Sequence, residues 1–266
     1  MARVLVVVAL ALQVAGVALA AIGELRHRAS VSRSGAWLLL GAWAAQLVTL
    51  ISLGTAAGVG EATFPLRTGP EYLLVLGWFV LTLHLDLWFR LGIRAAALVL
   101  PPVSALMVLS AFLFGVGAPP GEELRTEGWF VFHTSIATAG VAALAVSFAM
   151  SLLFLVKERA LKSKRSLRVL EMLPTLEALD RLGFQALLYG FPLLTLGIAT
   201  GMVYSGAVHH HLWIWGPKQI FPVIAWAVFG GILWARFARG IRGRRSAILA
   251  IAGFAFALLT FVGMVR

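Results

Sequence analysis

WFVFHTSIATAGVAALAVSFAMSLLFLV, residues 129–156, runs without a single Asp, Glu, Lys or Arg, and KERALKSKRSLR, residues 157–168, follows it at once. A bilayer's hydrocarbon core is crossed by about 20 apolar helical residues. The run is continuous rather than alternating, so a membrane β-barrel does not fit. The basic stretch behind it has the composition of a cytoplasmic loop. Outward from this segment the pattern recurs at 2–22, 35–55, 72–92, 95–117, 183–207, 220–238 and 246–265. The fold class is therefore all-α: a polytopic integral membrane helical bundle of about eight transmembrane helices, read as a single membrane domain over 1–266.

Composition agrees. Of 266 residues, 61% are hydrophobic and 12% charged, against about 25% charged in a soluble domain. With mean hydropathy at +0.93, a soluble fold would lack the polar surface to cover itself, and a disordered chain is equally excluded. The absence of cysteine rules out disulfides, thiolate zinc or iron–sulfur ligation, and thiol redox steps on this chain. The net charge of +11 follows from loop composition. Seventeen of the 22 Lys and Arg fall in one alternate set of loops, around Arg26–Arg33, Arg90–Arg94, Lys157–Arg181 and Arg236–Arg245. That set is expected in the cytoplasm, with both termini outside. No basic stretch is interleaved with aromatics, so nucleic acid is not an expected partner; the lipid bilayer is. Ala18-Leu19-Ala20 has the look of a signal cleavage site, but Arg26, Arg28 and Arg33 follow at once, and a retained first helix is expected.

Polar groups within a bilayer are functional candidates by default. In the third segment Asp86 and Arg90 are four apart and share a helix face, which suits an ion pair at a helix end. His84 lies deeper, and either donates to a helix carbonyl or ligates something. His133 stands one turn into the fifth segment above Ala137 and Gly140, a small-residue surface that leaves room for a flat macrocycle or for another helix. The expected outer loop 208–219 brings together His209, His210, His211, Trp213, Trp215 and Lys218. Imidazoles there could ligate a metal or heme iron, the indoles could stack on a porphyrin or sit at the membrane interface, and the lysine suits a propionate. In the sixth segment Gly197 and Gly201 form a small-xxx-small face, and Pro192 implies a kink. Between the fifth and sixth segments, Pro174 is expected to open a new helix carrying Leu176, Leu179 and Leu182 along the inner surface as an amphipathic linker.

Trp213-Ile214-Trp215-Gly216-Pro217-Lys218-Gln219, then Trp226, then Arg239-Gly240-Ile241-Arg242-Gly243-Arg244-Arg245, resemble the tryptophan-rich "WWD" segment and following helix pair of the cytochrome c assembly family. This family includes CcsA-, CcmC- and HemX-type heme-handling membrane proteins. Trp129–His133, Leu173–Asp180 and Gly190–Gly197 look similar to its HemX-like branch. The resemblance covers roughly 72–266 and leaves 2–71 as two poorly matched helices. It implies a multi-pass protein of the bacterial cytoplasmic (inner) membrane that binds heme, taken as heme b, at the outer face beneath the Trp-rich loop. In CcsA-type members a histidine early in the helix before this region is an outer axial ligand, and His133 occupies the matching place; Trp213, Trp215 and Lys218 match the loop that lines the heme. The family's Asp before Pro-Lys is Gly216 here, and its histidine two residues before an Arg is Trp234, ahead of Arg236. CcsA-type members have a second outer histidine after the last helix, and no histidine follows His211, so one of His209–His211 is the candidate second ligand. Secondary candidates are His84, Trp226 and Trp234. Implied partners are heme, apocytochrome c and a ResB/CcsB-like membrane protein. An alternative is a non-catalytic HemX-like scaffold that regulates heme biosynthesis through the basic 157–182 loop. No catalytic nucleophile is expected on this chain, because the thiols of heme attachment belong to the apocytochrome.

Overall fold

The computed structural model describes residues 2–55, 68–116, 128–163, 171, 173–210 and 216–262. The described residues hold eight α-helices and one 3-10 segment and no strand. Among the described residues, seven spans are long and apolar enough to cross a membrane. The chain forms two compact units, Met1–Val131 and Phe132–Arg266.

The first unit begins with an antiparallel hairpin, α1 (Ala2–Leu25) and α2 (Ala29–Thr55). The turn between them is short because α1 ends in a Schellman arrangement. Arg28 N–H donates to Gly23 O (2.8 Å), His27 N–H to Glu24 O (3.3 Å), and His27 takes the left-handed position at φ 53°. The two helices then touch through backbone: a Cβ on Gly35 would lie 2.4 Å from Ala20 N, and one on Gly23 2.3 Å from Ser32 N.

Helix α3 (Gly69–Phe89) opens on Thr68, whose hydroxyl accepts from Glu71 N–H, with Pro70 in the first turn. The Asp86–Arg90 pair forms as expected, at 3.3 Å and solvent-facing. The expected single span 95–117 is broken locally. Arg94–Leu98 is 3-10 and α4 (Leu100–Leu113) starts afresh, because Pro101 and Pro102 carry no N–H to continue an α ladder from Ala97 and Leu98.

A buried polar knot ties this unit together. Gln13 Nε2 donates to Pro101 O (3.1 Å) and Ser104 Oγ (2.8 Å), Gln46 Nε2 donates to Gln13 Oε1 (2.8 Å), and Ser104 Oγ donates to Gly77 O (2.7 Å). Gln13, Gln46 and Ser104 are wholly buried.

The second unit is built from α5 (Gly128–Ser163), α6 (Leu176–His209), α7 (Pro217–Arg239) and α8 (Arg244–Val262). Helix α5 continues past the apolar run into its basic extension, as expected. The linker helix does not stand apart. Thr175, not Pro174, is the N-cap, accepting from Ala178 N–H at 3.1 Å, and α6 runs unbroken through Pro192. Leu179 is fully buried, so this stretch faces the protein core rather than lying as a separate strip on the membrane. At 34 residues the helix is about 51 Å long, well beyond the roughly 30 Å hydrocarbon thickness.

Many large apolar side chains face outward, among them Phe237 (70% exposed), Leu113 (69%) and Val4 (66%). On a soluble protein they would form adhesive patches; on a multi-pass membrane protein they meet lipid.

Candidate functional site

Helices α5 and α6 pack at glycine distance. A Cβ on Gly190 would meet Leu144 at 3.0 Å, one on Gly140 would meet Leu194 N at 2.8 Å, and one on Gly197 would meet Ala137 Cβ at 2.9 Å. This close seam ends at His133. There a Cβ on Gly201 would lie 2.7 Å from His133 Cε1 and 3.3 Å from Nε2. The small-residue surface foreseen around His133 is thus used first to seat another helix. Gly201 leaves the space that the imidazole ring fills.

The half-buried His133 ring is held by its Nδ1, 3.0 Å from Thr200 Oγ1. Thr200 Oγ1 in turn lies 2.7 Å from Leu196 O and 3.1 Å from Gly197 O. The Gly197 carbonyl is also an acceptor beside the imidazole.

Helix α6 continues from Gly201 to His209, eight residues or about 12 Å further along its axis. His210 caps it in a left-handed conformation (φ 58°) and is exposed. The side chain of His209 is not among those described, nor is that of Lys218, which lies in the first turn of α7. His211, Trp213 and Trp215 lie outside the described residues. Trp226 is on α7, where its Nε1 donates to Thr195 Oγ1 (2.9 Å) and its ring stacks on Phe191 at 5.7 Å and 21°. Trp234 faces outward (58% exposed) under the Arg239 guanidinium. His84, in the first unit, is fully buried beside Trp88, and neither ring nitrogen has a hydrogen-bond partner among the described residues. The carbonyl bond that would have made it purely structural is not formed.

The far end of α6 carries a clamp that sequence reading missed. Arg236 donates to Asp180 through both terminal guanidinium nitrogens (3.0 and 2.6 Å), Gly243 N–H donates to the same carboxylate (3.2 Å), and the guanidinium lies 3.9 Å over the Phe184 ring. The signal was present in the sequence: an acid and a base, each expected at the basic membrane face. Asp180 and Thr200 are 20 residues apart on α6, about 30 Å, so clamp and histidine stand one hydrocarbon thickness apart.

Comparison with known proteins gives this geometry a family. The model of the cytochrome c assembly protein family matches residues 67–265. The chain belongs to that family. Cytochrome c assembly relatives include the cytochrome c biogenesis protein CcsA of Guillardia theta, 28% identical over 82% of this chain and 78% of that protein. Those of Microcystis aeruginosa (28%, 76% of each chain) and Gloeobacter violaceus (27%, 84% of this chain and 82% of that one) are similar. The solved structure of the cytochrome c heme lyase CcmF superposes on 99% of this chain with a TM-score of 0.74 at 19% identity, a likeness of fold, and this chain spans 46% of its length. Family membership places this multi-pass membrane protein in cytochrome c biogenesis. The relatives carry the CcsA name, and none of these findings bears on the HemX-like branch.

Proposed function

We propose that this chain holds heme b at the outer face of the bacterial cytoplasmic membrane and presents it to apocytochrome c or to a ResB/CcsB-like membrane partner. One observation carries the reading: a half-buried imidazole is seated against Gly201 where the glycine-packed seam of α5 and α6 ends, at the position where the family's resemblance puts an axial ligand. The residues present fit the group. His133 offers an imidazole oriented through Nδ1 by Thr200, Gly201 keeps the ring's place clear, and no thiol on this chain competes for the iron.

In this reading His133 is one axial ligand, and one of His209, His210 and His211 is the other. Trp213 and Trp215 cover the ring, and Lys218 meets a propionate. Heme, when bound, supplies the vinyl groups across which the apocytochrome's cysteine thiols add. The chain's own work is to bind, orient and shield. The asymmetry of Lys and Arg supports this sidedness, with the Asp180–Arg236 clamp inside and His133 outside.

The test is an absorption spectrum of detergent-purified protein, wild type beside His133→Ala, with an affinity tag free of histidine. A Soret band in wild type that falls or shifts in the variant is the expected result. No band in either, even with added hemin, overturns the reading and leaves the scaffold role through the basic 157–182 loop.

A further inference from the structure

Three threonines in this protein make the same construction. Thr82 donates to Trp78 O (2.8 Å) and accepts from Trp43 Nε1 (2.8 Å). Thr195 donates to Phe191 O (2.8 Å) and accepts from Trp226 Nε1 (2.9 Å). Thr200 donates to the Leu196 and Gly197 carbonyls and lies 3.0 Å from His133 Nδ1. In each, a hydroxyl gives its proton back to its own helix and turns a lone pair toward a ring nitrogen on a neighbouring helix.

Proton counting sets the direction of the third bond. A threonine hydroxyl has one proton, and a carbonyl can only accept. At 2.7 Å from Leu196 O that proton lies on the carbonyl side, since two oxygen lone pairs at that distance would repel. In the two tryptophan cases the ring nitrogen is an obligate donor, which shows that a threonine bonded back to its helix acts as an acceptor in this protein. The same logic makes His133 Nδ1 the protonated nitrogen. Nε2, across Cε1 from it and 3.3 Å from where a Gly201 Cβ would stand, then keeps the lone pair.

We propose that Thr200 is a positioning residue that fixes His133 as the Nδ1–H tautomer and so presents Nε2 as the iron-ligating atom, with Gly201 setting the ring's seat. The ligand role rests on the heme reading above; the tautomer does not. Second-shell acceptors of this kind orient a ligating imidazole and raise its basicity. Two arrangements compete: a hydroxyl donating to Nδ1, which would leave the Leu196 carbonyl without that bond, and Nε2–H donating to the Gly197 carbonyl beside the ring; either would leave Nε2 protonated and unable to ligate.

The first arm of the test needs no heme. Protein labelled with ¹⁵N-histidine is studied in detergent above pH 8, and ring-nitrogen shifts are assigned by loss of the His133 signals in His133→Ala. A protonated Nδ1 and bare Nε2 in wild type, kept in Thr200→Ser and mixed or reversed in the near-isosteric Thr200→Val, is the expected result. An Nε2–H tautomer in wild type, or no change in Thr200→Val, overturns the assignment. The second arm is hemin titration of the same proteins. Thr200→Val is expected to bind about 10–100-fold more weakly, in the range seen when second-shell partners of a ligating histidine are removed, with Thr200→Ser close to wild type. If wild type shows a His133-dependent Soret band that Thr200→Val leaves unaltered in affinity and position, the positioning role fails and the heme site stands. If wild type binds no hemin through His133, the ligand role fails with the heme reading, whatever the tautomer.

Discussion

Asp180 accepts from both terminal guanidinium nitrogens of Arg236 and from Gly243 N–H, and the two side chains are only 17% and 9% exposed. Neutralising one partner strands the other charge away from water, which costs about 3 kcal/mol where a pair is this enclosed. Asp180→Asn is therefore expected to lower the thermal midpoint of the detergent-solubilised protein sharply. Combining Asp180→Leu with Arg236→Met should recover most of the loss, because a buried pair is often replaced by apolar residues without penalty. A double variant no more stable than the single one would mean that the clamp's hydrogen bond to Gly243 matters more than its charge. At this scale residue types were legible and partners were not. His133 stood out in the sequence because an imidazole in an apolar segment is expensive. Thr200 did not, because membrane threonines routinely bond back to their own helix, and only the structure places the His133 ring against the hydroxyl.

Among elements, the interfaces that decide packing are those where glycine lets one backbone touch another. Gly35 and Gly41 lie in the same helix, α2, yet an added Cβ would meet Ala20 N at 2.4 Å in the first case and only Leu12 Cδ1 at 3.8 Å in the second. Gly35→Ala should cost about 1–3 kcal/mol as overpacking forces the hairpin apart, whereas Gly41→Ala should be neutral or gain up to about 1 kcal/mol from helix propensity. Thermal midpoints of the two variants check this directly, and equal effects would show that the hairpin is looser than it looks. Helix existence followed from hydropathy over nearly the whole chain, because a bilayer leaves the backbone few alternatives. In the linker, Pro174 and the leucine stripe point to an amphipathic helix leading into the sixth span, as α6 does, whereas only the burial of Leu179 shows that part of the stripe packs in the core instead of lying at the membrane interface. The 3-10 entry to α4 was readable in Pro101-Pro102, once the missing N–H groups are counted against their acceptors.

For the molecule as a whole, sidedness is the property most open to direct measurement, because the chain has no cysteine and any single introduced thiol reports without background. Arg242→Cys and Ser163→Cys should react with an impermeant maleimide only after the cytoplasmic side is opened. Thr68→Cys and Gly216→Cys should react in intact cells. The opposite pattern would invert the topology and move His133 to the inner face. Loop charge carries the expected orientation, whereas the division into two compact units left no mark in the sequence, since both halves have the same apolar character.

The polar knot of the first unit has a temporal meaning as well. Gln13 finds its partners at Pro101 and Ser104, 88 and 91 residues later in the chain. At synthesis rates of about 5–20 residues per second, α1 waits roughly 5 to 20 seconds before α4 exists. During that interval the Gln13 NH2 group, which donates to Pro101 and Ser104 in the finished fold, has no native acceptor, and only the Gln13 carbonyl oxygen can be met, by the Gln46 amide. The first helix, apolar enough to span alone, therefore does so at first with one polar group unsatisfied. Pairing with α2 is available first, through Gln46, and the knot of the N-terminal unit is completed only when Ser104 arrives.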